Sequence, residues 1–456
     1  MFSFNFKINQ LINPNFFLAM TKILIVSHPG QGLIHPSLRF AARLLKMGVS
    51  VTLTTSFRIM RFIDKEITPP GLAFATFSDG HDNHASGKSS SFTLQQHISD
   101  FATHGPPAVA EIISSAAAKG DPFDHVVYTT IIPWVPQVAA AHNLKSTLLW
   151  CQPATVFNIY YHSFNEFEEL ISANKNNASF PINLPGLPSL TVADLPSFFS
   201  PSSPKEHDFL LPLYKDHVDV IKTGSTILVN SFDELEIDSM KGTKHFHFLS
   251  IGPLNEKDPY NGKQDDSCVS WLNTKRKRSV VYVSFGSVTR LTGDQTEEIA
   301  TGLLESGRPF LWVIRNPEEA KKLTKIDELK QQGMIVNWCC QVEVLKHEAI
   351  GCFLMHCGWN STLEAMGTGV PIVAYPLWTD QTTNAKMIED VWKIGVRVRR
   401  EGGGVVKGKE IERCVKMVMG DEEISRNVTK WKELANEAVN NGGSSTLNLQ
   451  AFLDEA

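Results

Sequence analysis

Two histidines stand in a glycine-containing turn near the beginning of the chain. The stretch SHPGQGLIHP, residues 27–36, places His28 and His35 on either side of its two glycines, directly after a buried-strand pattern. A neutral imidazole beside a reacting oxygen accepts a proton at neutral pH, so either histidine is a candidate general base. Leu33, which follows the second glycine, can accept no proton.

A second polar stretch, HCGWNSTLEA at residues 356–365, follows another buried strand pattern. Asn360 and Ser361 lie at the presumed start of a helix, where free N–H groups and the helix dipole favour a phosphate. Glu364 falls one turn inside that helix, where its carboxylate can accept hydrogen bonds from ribose hydroxyls. Taken alone, the pattern fits a capped helix with nothing bound equally well.

Two common nucleotide-binding patterns are missing from the sequence. The dinucleotide fingerprint needs a third glycine and an acidic residue at the end of the second strand. His35 and Ser56 occupy those two positions, and no GxxxxGK[ST] segment occurs. These observations argue against a nicotinamide-dependent enzyme and against a P-loop enzyme.

The elements that must position these residues alternate between short apolar runs and amphipathic segments. KILIVS, a helical pattern and VSVTLTTS make a first strand–helix–strand unit, and the same pattern restarts at SVVYVSFGS. Such units form parallel sheets. We therefore predict two successive parallel α/β domains with a cleft between them. The predicted boundaries are an N-terminal extension at 1–20, a first domain at 21–250, a linker at 251–266, a second domain at 267–435 and a C-terminal helix at 436–456.

Composition narrows the class of protein further. The 456 residues are 42% hydrophobic and 20% charged with a net charge of −5, which excludes a disordered chain and gives no sign of a nucleic-acid-binding surface. The seven cysteines are scattered without a CxxC pair, so we expect reduced thiols, no metal site and a cytoplasmic protein. No apolar run is long enough to span a membrane. We interpret residues 1–19 as an extension preceding a second start at Met20.

The 44 residues from Trp338 to Gln381, WCCQVEVLKHEAIGCFLMHCGWNSTLEAMGTGVPIVAYPLWTDQ, resemble the signature segment of the plant family 1 UDP-sugar glycosyltransferases. FATFSDG, LLWCQPATVFNIYY, LPSFF, VNSFDELE and YVSFGS extend the resemblance over most of the chain. These segments look like the branch that holds anthocyanin 5-O-glucosyltransferases and the indole-acetate and crocetin glucosyltransferases.

The resemblance implies a GT-B fold, α/β, with two facing Rossmann-like domains. The first would bind the acceptor and the second the UDP-sugar, and the last helix would cross back onto the first domain. It implies that Trp338 stacks on uracil, that the Cys339 backbone contacts uracil, and that Gln341 and Glu364 contact the ribose. It further implies that the diphosphate contacts Ser287, His356, Asn360 and Ser361. The sugar would contact Trp359, Asp380 and Gln381. Gln381 together with Trp359 points to UDP-glucose as a co-substrate, with no cofactor.

The same resemblance makes Leu33 the anomaly, because family members usually carry the catalytic histidine at that position. Thr129 stands where many members have the aspartate that orients this histidine. Three hypotheses follow. A displaced histidine, His28 or His35, could act as the base. The acceptor could be a carboxylic acid, which is ionised at neutral pH and needs no base. The chain could be a weak or inactive transferase that binds small molecules.

The predicted acceptor pocket contains aromatic side chains of the first domain, namely Trp134, Trp150 and Tyr160. We therefore predict an inverting, UDP-glucose-dependent glucosyltransferase. Its partners would be the UDP-sugar and a small, largely apolar plant-type acceptor, with no nucleic acid and no membrane span. The product would be a glucose ester or a phenol glucoside, and we expect a monomer. The alternative is a small-molecule-binding protein.

Overall fold

A computed structural model describes residues 21–82, 93–200, 208–256, 267–400 and 404–456. The predicted extension at 1–20 and most of the predicted linker, residues 257–266, lie outside the described residues. Within the described ranges, no helix combines the length and the apolar character needed to cross a bilayer. The seven cysteines, all of them described, form no disulfide bond with one another.

The N-terminal lobe is built on a parallel sheet with the strand order β3-β2-β1-β4-β5-β8-β9. Its strands, with a small antiparallel hairpin of β6 and β7 beside them, are β1 Lys22–Val26, β2 Ser50–Thr54, β3 Ala73–Phe74, β4 His125–Thr129, β5 Lys145–Trp150, β6 Pro181–Ile182, β7 Leu190–Thr191, β8 Thr226–Val229 and β9 His247–Ser250. Its helices are α1 Gln31–Lys46, α2 Leu94–Ala118, α3 Val135–Ala141, α4 Ala154–Ser163, α5 Glu168–Asn174, α6 Leu210–Val220 and α7 Asp233–Lys241.

The C-terminal lobe repeats the plan with a parallel sheet in the order β12-β11-β10-β13-β14-β15. Its strands are β10 Val280–Ser284, β11 Phe310–Val313, β12 Met334–Val336, β13 Ile350–Met355, β14 Ile372–Ala374 and β15 Gly395–Arg397. The helices that follow residue 266 are α8 Ser267–Leu272, α9 Gly293–Glu305, α10 Pro317–Lys321, α11 Ile326–Gln332, α12 Gln341–Lys346, α13 Trp359–Thr368, α14 Gln381–Lys386, α15 Gly408–Gly420, α16 Glu422–Val439 and α17 Ser444–Glu455.

Apolar side chains on both faces of each sheet hold the lobes together. On β1, Ile23 and Ile25 join the core on one face, whereas Leu24 and Val26 join the core on the other. Strands buried on both faces read as continuous apolar runs, which is why these segments are recognisable in the sequence. The predicted α/β class with two facing Rossmann-like halves is thereby confirmed.

The last helix, α17, packs on the N-terminal lobe, where Leu449 and Phe452 join the core beneath β1 and β2. The boundary predicted at 435/436 is wrong in detail because it falls inside α16, which runs unbroken to Val439. Ala435 and Ala438 of α16 are both buried in the core of the C-terminal lobe. The chain therefore leaves that lobe only at the turn that follows α16.

Candidate functional site

A cleft of about 660 Å³ separates the lobes at the carboxyl ends of their strands. In each sheet the strand order reverses between two neighbours, β1 and β4 in the first and β10 and β13 in the second. Parallel sheets bind ligands at such switch points, because the loops diverge there and leave a crevice. The two polar stretches of the sequence follow β1 and β13, so both of them open onto the cleft.

His28 is the buried histidine of the first turn. Its side chain is 3% exposed, lines the cleft and meets the ring of Phe101 edge-on at 5.1 Å. Nδ1 accepts a hydrogen bond from the Gly30 N–H at 3.1 Å, and the His28 N–H donates to Thr129 Oγ1 at 3.3 Å. An Nδ1 that accepts leaves the ring proton on Nε2, which has no hydrogen-bond partner among the described residues.

The electrostatic surroundings of His28 make its imidazole a very weak base. Burial, followed by the nearby charge of Arg58 and by His97, lowers the pKa of His28 to about 3. The side chain is therefore neutral at pH 7, and its Nε2 atom is buried. His35 also lines the cleft, half-buried in the first turns of α1, as does Leu33.

The wall around these residues is mainly apolar. Ile98, Ile131 and Leu210 line it together with Tyr214 and Gln152. The prediction that Trp134, Trp150 and Tyr160 line the pocket is not met within the described part of the chain. These rings serve the core instead.

The physical reason is that large aromatic side chains gain most from complete burial. Trp150 packs edge-on against Phe157, and Tyr160 stacks on Tyr214 at 4.4 Å, so that Tyr214 separates it from the cleft. Trp134 is half-buried and packs against the same core beside Phe101, with the ring centroids 6.2 Å apart.

The opposite wall contains the residues of the 44-residue segment. All but one of the predicted donor-binding residues line it, namely Ser287, Trp338, Cys339, Gln341, His356, Trp359, Asn360, Ser361, Glu364 and Asp380. Trp338 is half-buried, which leaves part of its ring available for stacking. The predicted residues meet on one wall because α12 and α13 begin at the same edge of the sheet and face the cleft with their first turns.

His356 lies between two glycines in this wall. A Cβ atom on Gly286 would lie 2.7 Å from His356 Nε2, and one on Gly358 would lie 2.5 Å from the same atom. A larger residue at Gly286 or Gly358 would therefore press against the imidazole of His356. Desolvation, with the charge of Arg315, lowers the pKa of His356 to about 4, so this ring is also neutral at pH 7. It lies immediately before α13, whose N-terminus adds unpaired N–H groups.

A carboxylate and an amide form the polar centre of this wall, which we call the donor wall after the donor-binding residues predicted for it. Gln341 Nε2 donates to Glu364 Oε2 at 2.7 Å and to Ser361 Oγ at 2.9 Å. Tyr282 donates its hydroxyl to Gln341 Oε1 at 3.2 Å, which fixes the orientation of the amide. From across the cleft, Arg39 Nη1 approaches Glu364 Oε1 at 2.8 Å, and both side chains are nearly buried.

Sequence reasoning missed Arg39, although the sequence contains a signal for it. The arginine stands among Leu38, Phe40 and Ala41, on the part of α1 that faces protein rather than solvent. A cation in such a position requires a buried anion, so the helical pattern alone indicates a contact with another part of the chain.

Further bonds tie donor-wall side chains to the N-terminal lobe. Trp359 Nε1 donates to the Asn230 carbonyl at 2.7 Å, and Asn360 Nδ2 donates to the Gly32 carbonyl at 3.1 Å. Both side chains, which would face a ligand, are therefore already oriented by a partner on the other lobe.

Asp380 lies at the far end of the same wall and is 6% exposed. Its Oδ1 accepts from Gln152 Nε2 at 3.0 Å and from Thr379 Oγ1 at 2.8 Å, and its Oδ2 accepts from Asn384 Nδ2 at 2.7 Å. Burial raises the pKa of this carboxyl, and the three hydrogen bonds oppose the increase. The group is thus held in one orientation at the edge of the cleft.

Gln381 does not line the cleft in the described structure, in contrast to its predicted contact with the sugar. Its Oε1 accepts from the backbone N–H groups of Leu377 at 3.0 Å and Trp378 at 3.1 Å. The side chain is 5% exposed because it closes the turn before α14. Asp380 and Thr379 are the polar side chains of this turn that line the cleft.

Comparisons with known proteins agree with this geometry. The family profile described as UDP-glucoronosyl and UDP-glucosyl transferase matches residues 255–438. The chain is 45% identical to crocetin glucosyltransferase, chloroplastic, of Gardenia jasminoides, over 95% of this chain and 97% of that protein. It is 42% identical to anthocyanidin 3-O-glucoside 5-O-glucosyltransferase 1 of Perilla frutescens, over 96% and 99%. The crystal structure of Os79 from O. sativa in complex with UDP superimposes with a TM-score of 0.84 at 32% identity, covering 95% of this chain and 99% of that one.

Proposed function

The chain belongs to the plant UDP-glycosyltransferases, and from that premise we propose that it transfers glucose from UDP-glucose to the carboxylate of a small, largely apolar metabolite. The family makes the protein a hexosyltransferase and confirms the resemblance drawn from the sequence. The choice of donor sugar, of acceptor chemistry and of each residue's role is our proposal.

The donor side of the proposal is supported by the convergence of the predicted residues on one wall. Uracil would stack on Trp338, the ribose would bond to Glu364, and the diphosphate would lie at the N-terminus of α13 beside His356. UDP-glucose is the expected donor because the Trp359 and Gln381 positions match the glucose pattern of the family. Among the side chains presented to the cleft, Asp380 is the proposed partner of the sugar hydroxyls.

The reaction would be a direct displacement at the anomeric carbon. The acceptor oxygen forms a bond to C1 while the bond from C1 to the β-phosphate oxygen breaks, so the α configuration becomes β and UDP leaves. Negative charge grows on the diphosphate. The N–H groups at the N-terminus of α13 would stabilise that charge.

The state of His28 is the observation that carries the choice of acceptor. A histidine that accepts through Nδ1, carries its proton on Nε2 and has a pKa of about 3 is a donor, not a base. A cleft in which Leu33 and His28 cannot accept a proton suits an acceptor oxygen that is already negative. A carboxylic acid with a pKa of about 4 meets that condition at pH 7, whereas a phenol with a pKa of about 10 does not.

His35 remains the histidine through which a displaced-base route would have to run. It lines the cleft from the first turns of α1. The carboxylate route needs neither histidine to accept a proton. Apolar lining by Ile98, Ile131 and Leu210 would desolvate the acceptor and strengthen its attack.

The experiment pairs two acceptors of nearly equal size with UDP-glucose. One is 4-methoxycinnamic acid, which offers only a carboxylate, and the other is methyl 4-hydroxycinnamate, which offers only a phenol. We expect glucosylation of the acid alone, with a product that mild alkali hydrolyses. Its rate should be level between pH 6 and pH 8, because the acceptor is ionised throughout that range.

Transfer to the phenol alone, rising with pH as phenolate forms, would contradict the proposal. If His35→Ala then abolished that transfer, the displaced-base hypothesis would replace it. Binding of UDP-glucose without turnover on either acceptor would instead favour the small-molecule-binding alternative. A cytoplasmic location and a monomeric state stay predictions.

A further inference from the structure

Thr379, the residue before Asp380, has an unusual backbone conformation. Its φ angle is +56°, in the left-handed region that β-branched residues avoid because their side chain clashes with the backbone. Such a conformation persists only where surrounding contacts impose it, and it tends to occur where function requires it. Contacts from elsewhere in the structure must therefore hold Thr379 in this conformation.

The holding contact comes from Ser197 of the N-terminal lobe. The Ser197 N–H donates to the Thr379 carbonyl at 2.9 Å, and the Thr379 N–H donates to Ser197 Oγ at 2.8 Å. The two bonds fix both peptide groups of Thr379. Both residues are buried, with 8% and 9% of their surface exposed, so water does not readily replace these bonds.

The same short segment of the N-terminal lobe also holds the residues that follow. Thr382 Oγ1 donates to the Leu195 carbonyl at 2.6 Å, and Thr383 Oγ1 donates to the Asp194 carbonyl at 2.7 Å. Arg397 of β15 forms an ion pair with Asp194 at 2.8 Å, which anchors the segment itself. The turn that carries Asp380 is thus shaped by the opposite lobe.

Thr379 passes this constraint on to the carboxylate. Its Oγ1 donates to Asp380 Oδ1, and the direction of that hydroxyl depends on the left-handed backbone. If Thr379 relaxed to an ordinary conformation, the bond would break and Asp380 would turn with the peptide that precedes it.

We propose that Ser197 is a positioning residue for the sugar subsite, acting through the strained Thr379 on the carboxylate of Asp380. This inference rests on the proposed function, in which Asp380 binds hydroxyls of the transferred sugar. Its consequence is that the lobe assigned to the acceptor also sets the selection of the donor sugar.

The test is a double-mutant cycle that exploits the strain. Ser197→Ala removes the hydroxyl that accepts from Thr379, and Thr379→Gly makes the left-handed conformation available without any clamp. We compare the two variants and their combination with the wild type. The control is Ser445→Ala, because Ser445 is a buried serine that bonds to the Gly252 carbonyl away from the cleft. For each protein, kcat/KM is measured with UDP-glucose and UDP-galactose, and Kd is measured for UDP, which lacks the sugar.

We expect Ser197→Ala to lower kcat/KM for UDP-glucose about tenfold and to reduce the preference over UDP-galactose, while the Kd for UDP changes by less than about twofold. Thr379→Gly should cost about threefold, through its lost hydroxyl. The combination should be no worse than Thr379→Gly alone, because glycine no longer needs the clamp. Ser445→Ala should leave the sugar preference unchanged.

Losses that simply multiply in the combined variant, or a Ser197→Ala enzyme with unchanged kcat/KM, would overturn the inference. Hydrogen exchange of residues 376–384 in the ligand-free protein separates this failure from failure of the proposed function. Faster exchange there in Ser197→Ala is expected even if the wild type turned over no sugar. Unchanged exchange would show that Ser197 does not hold the turn.

Discussion

The two walls of the cleft are made from the same strand–turn–helix units, yet they differ in how their residues are distributed along the chain. The donor wall draws most of its polar groups from the 44 residues between Trp338 and Gln381. The wall of the N-terminal lobe, called the acceptor wall, collects its lining from β1 through α6. The donor wall is polar and preoriented. The acceptor wall is mainly apolar, and its buried histidine, His28, is neutral and protonated on Nε2.

This difference explains what the sequence predicts and what it does not. On the donor wall, positions are set by short spacings inside one β–α unit, so that Asn360, Ser361 and Glu364 follow from where α13 begins. On the acceptor wall, Trp150 and Tyr160 resemble pocket residues because they are aromatic and near one another in sequence. Aromatic character does not distinguish a core face from a pocket face, and both side chains belong to the core.

Contacts between the lobes were the least predictable feature. Arg39 meets Glu364, Gln152 meets Asp380 and Ser197 meets Thr379, each pair far apart in the chain. Spacing within a motif carries no information on which residue the other lobe will bring. Gln381 shows the same limit on a smaller scale, since its amide is used by the turn that it closes.

The largest effect is expected from the donor wall. Glu364→Gln removes the charge that the ribose hydroxyls would meet and leaves Arg39 buried without this carboxylate. We expect kcat/KM for UDP-glucose to fall roughly 100-fold, which corresponds to about 2.7 kcal/mol. Steady-state kinetics at varied donor concentration measures it. Glu348→Gln, at an exposed carboxylate that pairs with Lys277, is the matched control and should have no effect. A loss of less than about threefold would mean that Glu364 does not bind the donor.

The next effect concerns stability and belongs to the acceptor lobe. His217 is fully buried, stacks on Tyr128 at 6.1 Å, and has its pKa lowered by burial to about 3. Its unfolded pKa is about 6.5, so the unfolded chain takes up a proton first and stability falls as the pH drops below 6.5.

Between pH 7 and pH 5, the free energy of unfolding should therefore fall by about 2 kcal/mol less in His217→Phe than in the wild type. Denaturant unfolding at the two pH values, in the wild type and the variant, gives this difference. Phenylalanine keeps the stacked ring but cannot be protonated. An equal loss in both proteins would show that His217 is already charged, or is exposed, in the folded state.

A smaller effect should follow from restoring a base to the acceptor wall. Leu33→His places an imidazole in the cleft, and we expect transfer to a phenol to rise about tenfold, below the full value of a general base. Thr129 cannot orient that histidine as a carboxylate would, so Leu33→His combined with Thr129→Asp should gain more. Leu33→Asn, which is polar but not basic, is the control. A gain in the asparagine variant as large as in the histidine variant would attribute the effect to polarity, not to proton transfer.

The smallest effect is expected at His28, although its ring lines the cleft. His28→Asn keeps an acceptor for the Gly30 N–H and removes the basic ring. Transfer to the acid should stay within about threefold of the wild type, because no proton is removed from the acceptor. Initial rates on 4-methoxycinnamic acid measure this. A loss of about 100-fold on this ionised acceptor would show that the His28 ring takes a direct part in the transfer, and would contradict the small effect expected here.

The proposed function requires the donor wall to bind a uridine diphosphate compound independently of the acceptor chemistry. Calorimetric titration of UDP into the wild type, Glu364→Gln and Leu33→His measures that directly. We predict one binding site per chain, a Kd at least about tenfold weaker in Glu364→Gln, and a Kd within about twofold of the wild type in Leu33→His. No heat of binding in the wild type, or equal affinity in all three proteins, would contradict the assignment of the donor wall.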